Sequence, residues 1–206
     1  MVFLFLLIAS TAAGAPAGGP LRILVLGDSL TAGYGLAPAE TFPAQLEKAL
    51  LDAGYDVAVI NAGVSGDTTA GGLARLDWSL ADEPHLVIVE LGGNDALRGL
   101  PPEQTRQNLE AIITRLKERG IVVLLTGMRA PRNLGFDYYS KFDNLYPGLS
   151  ARHAVALYPF FLDGVATIPD YNQTDGIHPN PDGVAVIVRN LLPILKPLIN
   201  QAAASR

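Results

Sequence analysis

The chain has 206 residues, of which 49% are hydrophobic and 17% charged, a composition that suits one globular domain with a full core and excludes a disordered chain. With 15 Lys and Arg against 20 Asp and Glu, a net charge of −5 and no basic run, it lacks the basic face that nucleic-acid binding needs. The absence of cysteine removes disulfides and thiolate chemistry, and three histidines without ligand spacing offer no zinc site. No metal and no cofactor is expected.

Residues 2–8 are continuously apolar, and small residues follow through Ala13-Gly14-Ala15, the A-x-A pattern that a signal peptidase accepts. No Lys or Arg precedes the apolar run. The run is shorter than the ~20 residues of a spanning helix, so no stable membrane anchor is expected. Residues 1–15 therefore read as a signal peptide of a periplasmic or secreted protein, 16–20 as a Gly/Pro spacer, 21–200 as one domain and 201–206 as a tail.

Residues 21–26 form an unbroken aliphatic run ending at Gly27, as expected of a strand buried on both faces. A helix is expected from Thr41 to Asp52, with Pro43 in its first turn and Gly54 beyond its end. Residues 57–61 read as a second strand, 68–80 as a second helix and 86–91 as a third strand. Pro101 and Pro102 open a long helix to Arg119, stopped by Gly120, and 121–126 form a fourth strand. Residues 136–153 read as helical with a break near Pro147-Gly148, and 154–158 as a short last strand. The stretch 182–199 has helical apolar spacing, which Pro193 and Pro197 should kink or fragment. Alternating strands and helices predict an α/β/α sandwich, three layers around a mostly parallel sheet.

In such sheets sites form beyond the carboxyl ends of the strands. Gly27-Asp28-Ser29-Leu30 stands there after the first strand, where a tight turn lifts a serine out of the sheet; the tetrapeptide alone also suits an ordinary turn. Asp175-Gly176-Ile177-His178-Pro179 lies near the C-terminus among turn formers. A spacing of three lets Asp175 fix the His178 tautomer, leaving the other ring nitrogen for a serine proton. His85 and His153 read as ordinary hydrogen-bonded residues. The stretch Asn61–Thr68 brings Gly63, whose N–H can approach a ligand unobstructed, and Gly92-Gly93-Asn94-Asp95 offers a side-chain amide; both could serve a developing oxyanion.

In that order the four blocks GDSL, NAGVSGDT, GGND and DGIHPN resemble the SGNH (GDSL) hydrolase superfamily, over residues 21–198. VELGGNDALRG and DGIHPN resemble its bacterial branch of multifunctional acyl-CoA thioesterases/lysophospholipases and arylesterases. The resemblance implies a flavodoxin-like fold without cofactor. It implies Ser29 as nucleophile, His178 as general base and Asp175 as its orienter. Ser29 N–H, Gly63 N–H and Asn94 would form the oxyanion hole. Asp28 reads as a loop anchor, Asp95 as structural, and Glu90 as a buried carboxylate that needs partners. Arg98 and Arg129 are candidates for the border of the substrate groove, Tyr171 and Ile177 for its apolar wall.

The expected reaction is hydrolysis of short to medium acyl, aryl or alkyl carboxylic esters through an acyl-enzyme. Acyl-CoA thioesterase, lysophospholipase and carbohydrate O-acetyl esterase share that chemistry. A non-catalytic lipid- or glycan-binding module and an acyl transferase are the readings from other classes. The partner is a small-molecule ester or thioester, not nucleic acid, and the sequence leaves the oligomeric state open.

Overall fold

The structure, a computed structural model, describes residues 19–206; residues 1–18, including the signal peptide read at 1–15, lie outside the described residues. Five parallel strands form one sheet: β1 (Leu21–Gly27), β2 (Val57–Gly63), β3 (Leu86–Glu90), β4 (Val122–Thr126) and β5 (Ala156–Tyr158). Their order is β2-β1-β3-β4-β5. The chain steps one way from β1 to β2 and the other way thereafter. Right-handed crossovers then send helices to opposite faces of the sheet. Helix α2 (Phe42–Asp52) and the C-terminal α8 (Pro181–Ala204) pack together on one side. A second group, α3 (Thr69–Ala74), α6 (Pro102–Glu118) and α7 (Phe136–His153), covers the other. The expected three-layer α/β sandwich is present.

Coverage on both faces explains the strand sequences. All five residues of β3 are buried, as are Ile23, Leu24, Val25 and Leu26 of β1, each large aliphatic side chain contributing about 1.5–3 kcal/mol. Edge strand β2 is only partly covered, and Glu47 of α2 accepts its Val59 N–H at 2.6 Å, closing part of an open edge.

Three helices differ from expectation. The segment at 68–80 splits into α3 and a single turn α4 (Leu76–Ser79), because Arg75 between them turns inward onto the Asp67 carboxylate and the Gly27 carbonyl. Helix α7 runs unbroken through Pro147-Gly148, and α8 through Pro193 and Pro197 to Ala204, into the stretch read as a tail. All three prolines are exposed, so the carbonyls that lose an N–H partner face water. Buried Val184, Ile187, Val188, Leu191, Leu195 and Ile199 hold α8 to the sheet regardless.

The register fixes where the site stands. Gly27, last in β1, pairs with Gly63 of β2 on one side and Glu90 of β3 on the other. The chain reverses its lateral direction at β1, so the ends of these three strands enclose the crevice.

Candidate active site

After Gly27, Asp28 caps the single-turn helix α1 (Ser29–Ala32), its Oδ1 accepting the Leu30 N–H at 3.0 Å. Ser29 is the first helical residue, so its N–H has no acceptor within the helix. Gly33 ends the turn at φ +80°, where a Cβ would stand 2.2 Å from the Thr41 side chain.

Asp175 and His178 lie on a loop closed by an antiparallel bridge between Asn172 and Pro179. Asp175 Oδ1 accepts the N–H groups of Ile177 (2.9 Å) and His178 (3.0 Å), and its Oδ2 lies 2.7 Å from His178 Nδ1. His178 Nε2 lies 2.9 Å from Ser29 Oγ. The His178 bond, together with the two backbone donors, holds the Asp175 carboxyl down at about 2. Two residues not singled out in the sequence support this loop. The Tyr34 ring lies 4.7 Å from the His178 ring, and Gln173 Nε2 donates to the carbonyls of Tyr34 and Pro179.

Past β3, Gly92 adopts φ +115°, and a Cβ there would stand 2.1 Å from the Tyr146 hydroxyl, which donates to Leu91 O. Asn94, on the short helix α5 (Gly93–Leu97), donates one side-chain N–H to Asp28 Oδ2 at 3.0 Å. Its second amide hydrogen is left for the crevice that it lines with Ser29 and His178. Asp95 is buried and accepts from Thr69 N–H, Thr69 Oγ1 and Thr105 Oγ1, binding α5 to α3 and α6.

The glycine loop after β2 holds a surprise. The Gly63 N–H is occupied by Asn61 Oδ1 at 2.9 Å, and a Cβ on Gly63 would stand 2.2 Å from Ala32 N. Gly63 thus answers to the close approach of β2 and α1. Gly66 adopts φ +82°, and its carbonyl accepts Arg98 Nη2 at 2.7 Å. Among the described residues its N–H has no acceptor. The sequence signal for Gly66 was present, in the same Val-Ser-Gly-Asp turn, but nothing in it separates the two glycines.

Two carboxyls lie beneath the turn that carries Ser29. Burial pushes Asp28 up to about 6, against the lowering by the Leu30 N–H and Asn94. Burial, then the nearby Asp28 charge, holds Glu90 well above the usual carboxylate range.

A cavity of about 500 Å³ opens beside Ser29, Asn94 and His178, walled by Leu97, Met128, Phe160, Leu162, Ala166 and Ile177. Arg129 stands on its rim with its guanidinium 4.5 Å from the Phe160 ring centroid. Of the four groove candidates, Arg129 and Ile177 line the cavity. Arg98 is instead turned onto Gly66, and Tyr171 packs half-buried against the core with its carbonyl accepting the Asn180 N–H. His85 accepts the Arg22 N–H and His153 bonds Glu110; neither lines the cavity. Among the described residues, no cluster of His, Asp and Glu could hold a metal ion, and no helix is long and apolar enough to cross a membrane.

Residues 25–186 match the GDSL-like Lipase/Acylhydrolase family. The chain belongs to the GDSL (SGNH) hydrolases. Among relatives in this family, it is 46% identical to Esterase TesA of Pseudomonas aeruginosa over 86% of this chain and 89% of the relative. It is also 46% identical to an arylesterase of Vibrio mimicus over 78% and 81% of the two chains. Identity to Thioesterase 1/protease 1/lysophospholipase L1 of Escherichia coli K12 is 41%, over 96% and 92%. The crystal structure of TesA superposes with a TM-score of 0.82, covering 86% of this chain and 99% of that one. This GDSL hydrolase is a serine esterase.

Proposed function

We propose that Ser29 is the nucleophile, His178 its general base and Asp175 the group that orients His178. The observation that carries this reading is the line from Ser29 Oγ through both ring nitrogens to Asp175 Oδ2, at 2.9 and 2.7 Å. Ser29 Oγ attacks the ester carbonyl carbon while its proton passes to His178 Nε2 and the carbonyl π electrons move onto oxygen. Collapse of the tetrahedral species expels the alcohol oxygen, which takes the proton from Nε2. Water repeats the sequence on the acyl-enzyme, releasing the acid and restoring Ser29. The oxyanion meets the Ser29 N–H and the Asn94 amide. The third donor is Gly66 N–H in place of Gly63, since the Gly63 N–H is already spent on Asn61.

The apolar cavity supports a short to medium acyl chain and favours it over a sugar ring. An aryl leaving group fits the name of the V. mimicus relative, and alkyl esters pass through the same acyl-enzyme. Thioesters and lysophospholipids, which appear in the name of the E. coli relative, pass through the same acyl-enzyme. We also propose export, supported by the apolar run and Ala13-Gly14-Ala15; a mature N-terminus near Pro16 on protein from outside the cytoplasm is expected, and an intact Met1 on native cytoplasmic protein refutes it.

The test of the mechanism is Ser29→Ala. It abolishes turnover and fluorophosphonate labelling while the protein stays folded, and labelling at Ser65 or another serine overturns the assignment. Nitrophenyl esters of increasing chain length, with acyl-CoA and lysophospholipid beside them, measure the substrate range.

A further inference from the structure

Glu90 ends a strand of otherwise aliphatic residues and is completely buried. The Ser29 mechanism needs no carboxyl there, and an apolar residue would complete the strand at lower desolvation cost. Its contacts all lead to one place. Oε2 accepts the Thr31 hydroxyl at 2.7 Å and the Asp28 N–H at 3.3 Å. These two groups flank Ser29, one on the residue before it and one two residues after it. Oε1 has no hydrogen-bond partner among the described residues.

The backbone is arranged to let this contact form. Gly27 is the cross-strand partner of Glu90. A Cβ on Gly27 would stand 2.0 Å from Thr31 Oγ1 and 2.4 Å from Glu90 Oε2. Without a side chain at Gly27, the Glu90 carboxyl passes over β1 and reaches the turn from beneath. The same turn is held from outside: Arg75 Nη2 and the Val64 N–H both donate to the Gly27 carbonyl. Among the described residues, only the Glu90 side chain grips the residues on both sides of the serine.

We propose that Glu90 is a positioning residue for the reaction, fixing the nucleophile turn through Asp28 N–H and Thr31 Oγ1 so that Ser29 Oγ and N–H keep their aim. The proposal rests on Ser29 being the nucleophile. A side chain that holds a reacting group in place acts on the chemical step, and misplacement of about 1 Å can lower it by about 10²-fold. Because Glu90 touches no part of the cavity, its loss leaves substrate affinity alone.

The experiment compares full-length wild type, Glu90→Leu, Glu90→Gln and Thr31→Val. For each, kcat and KM on a nitrophenyl ester, thermal unfolding, and the rate and site of fluorophosphonate labelling are measured. Glu90→Leu is expected to fold, to lose about 10- to 100-fold in kcat with KM within about twofold, and to label Ser29 correspondingly more slowly. Glu90→Gln keeps a carbonyl oxygen for both donors and should stay within about threefold of wild-type kcat, a rescue that strand filling alone does not explain. Thr31→Val, which removes one hydroxyl at constant shape, should lose about 3- to 10-fold in kcat. A folded Glu90→Leu with wild-type kcat overturns the proposal, as does Glu90→Gln losing as much as Glu90→Leu. Should Glu90→Leu fail to fold, Thr31→Val decides, and an unchanged kcat there overturns it. Labelling on a serine other than Ser29 in the wild type overturns the nucleophile assignment and this proposal together. Labelling on Ser29 with unchanged rates in the variants overturns this proposal alone.

Discussion

Asp28 Oδ2 accepts the Asn94 side-chain amide at 3.0 Å. The residue before the proposed nucleophile thereby sets the orientation of a proposed oxyanion donor on a different strand's loop. A ground-state carbonyl carries only partial charge, so the free Asn94 N–H gains most when the tetrahedral species forms, and such a bond acts on kcat more than on KM. Asn94→Ala should lower kcat by about 10²–10³, or roughly 2.7–4 kcal/mol, with KM near normal. A raised KM at intact kcat would instead make Asn94 a substrate-binding residue.

The same contact should titrate. Asp28 is raised to about 6, chiefly by burial, so below that pH Asn94 faces a neutral carboxyl. In a His178→Ala variant, which removes one of the influences that lower Asp28, the Asn94 side-chain amide resonances should shift with an apparent midpoint above 6. Resonances that stay flat between pH 5 and pH 7 would place the Asp28 ionisation elsewhere.

Asp175→Asn should be far more damaging than its small change in shape suggests. The Asn oxygen will remain on the Ile177 and His178 N–H groups, turning the amide NH2 toward His178 Nδ1. That selects the tautomer with Nε2 protonated, which cannot take the Ser29 proton. The equivalent change in serine proteases lowers kcat by about 10⁴, and a loss approaching that size with little change in KM is expected. The stability effect is minor and varies with pH only in acid. A carboxyl lowered to about 2 stabilises the fold above its ordinary value, and that stabilisation is lost as pH falls from near 4 through 2. With 37% of the Asp175 side chain exposed, solvent screens most of it.

Glu90 gives stability the opposite slope. Its carboxyl is raised, so the native state binds the proton more tightly than the unfolded chain. The stabilisation is complete below the ordinary carboxylate value and drains away as pH climbs toward the raised one. Wild type should therefore lose Tm on the alkaline side, and Glu90→Gln, with no proton to give up, should lose less. The part owed to Asp28, which falls between about 4 and 6, stays in both proteins. Identical alkaline profiles for the two would place the liability at another group.

Much of this molecule could be read from its residues. Strands β1, β3 and β4 are aliphatic runs because both their faces are covered, and the loops after β1 and β3 carry Ser29 and Asn94 where a parallel sheet opens its crevice. Asp175 and His178 were legible because their pairing is local, three residues apart. What escaped depends on distant neighbours. Gly63 and Gly66 are told apart by the positive φ of Gly66 and by what Asn61, Ala32 and Arg98 do to them. The prolines of α7 and α8 are harmless only because they face water. Tyr34 meets Gln173 and His178 of the loop across more than a hundred residues of chain, and no local pattern announces such a contact.

The loop closed between Asn172 and Pro179 holds the proposed acid and base on one short span, tied to each other by two hydrogen bonds and to Ser29 by a single one. Acid and base therefore travel as a prefabricated cartridge. Displacement of the loop would break its contacts with Ser29 and Tyr34 and leave the dyad assembled. The same construction makes the cartridge portable: nothing between Asn172 and Pro179 belongs to a strand or a long helix. Insertions on either side could remodel the mouth of the cavity without realigning the acid against its base.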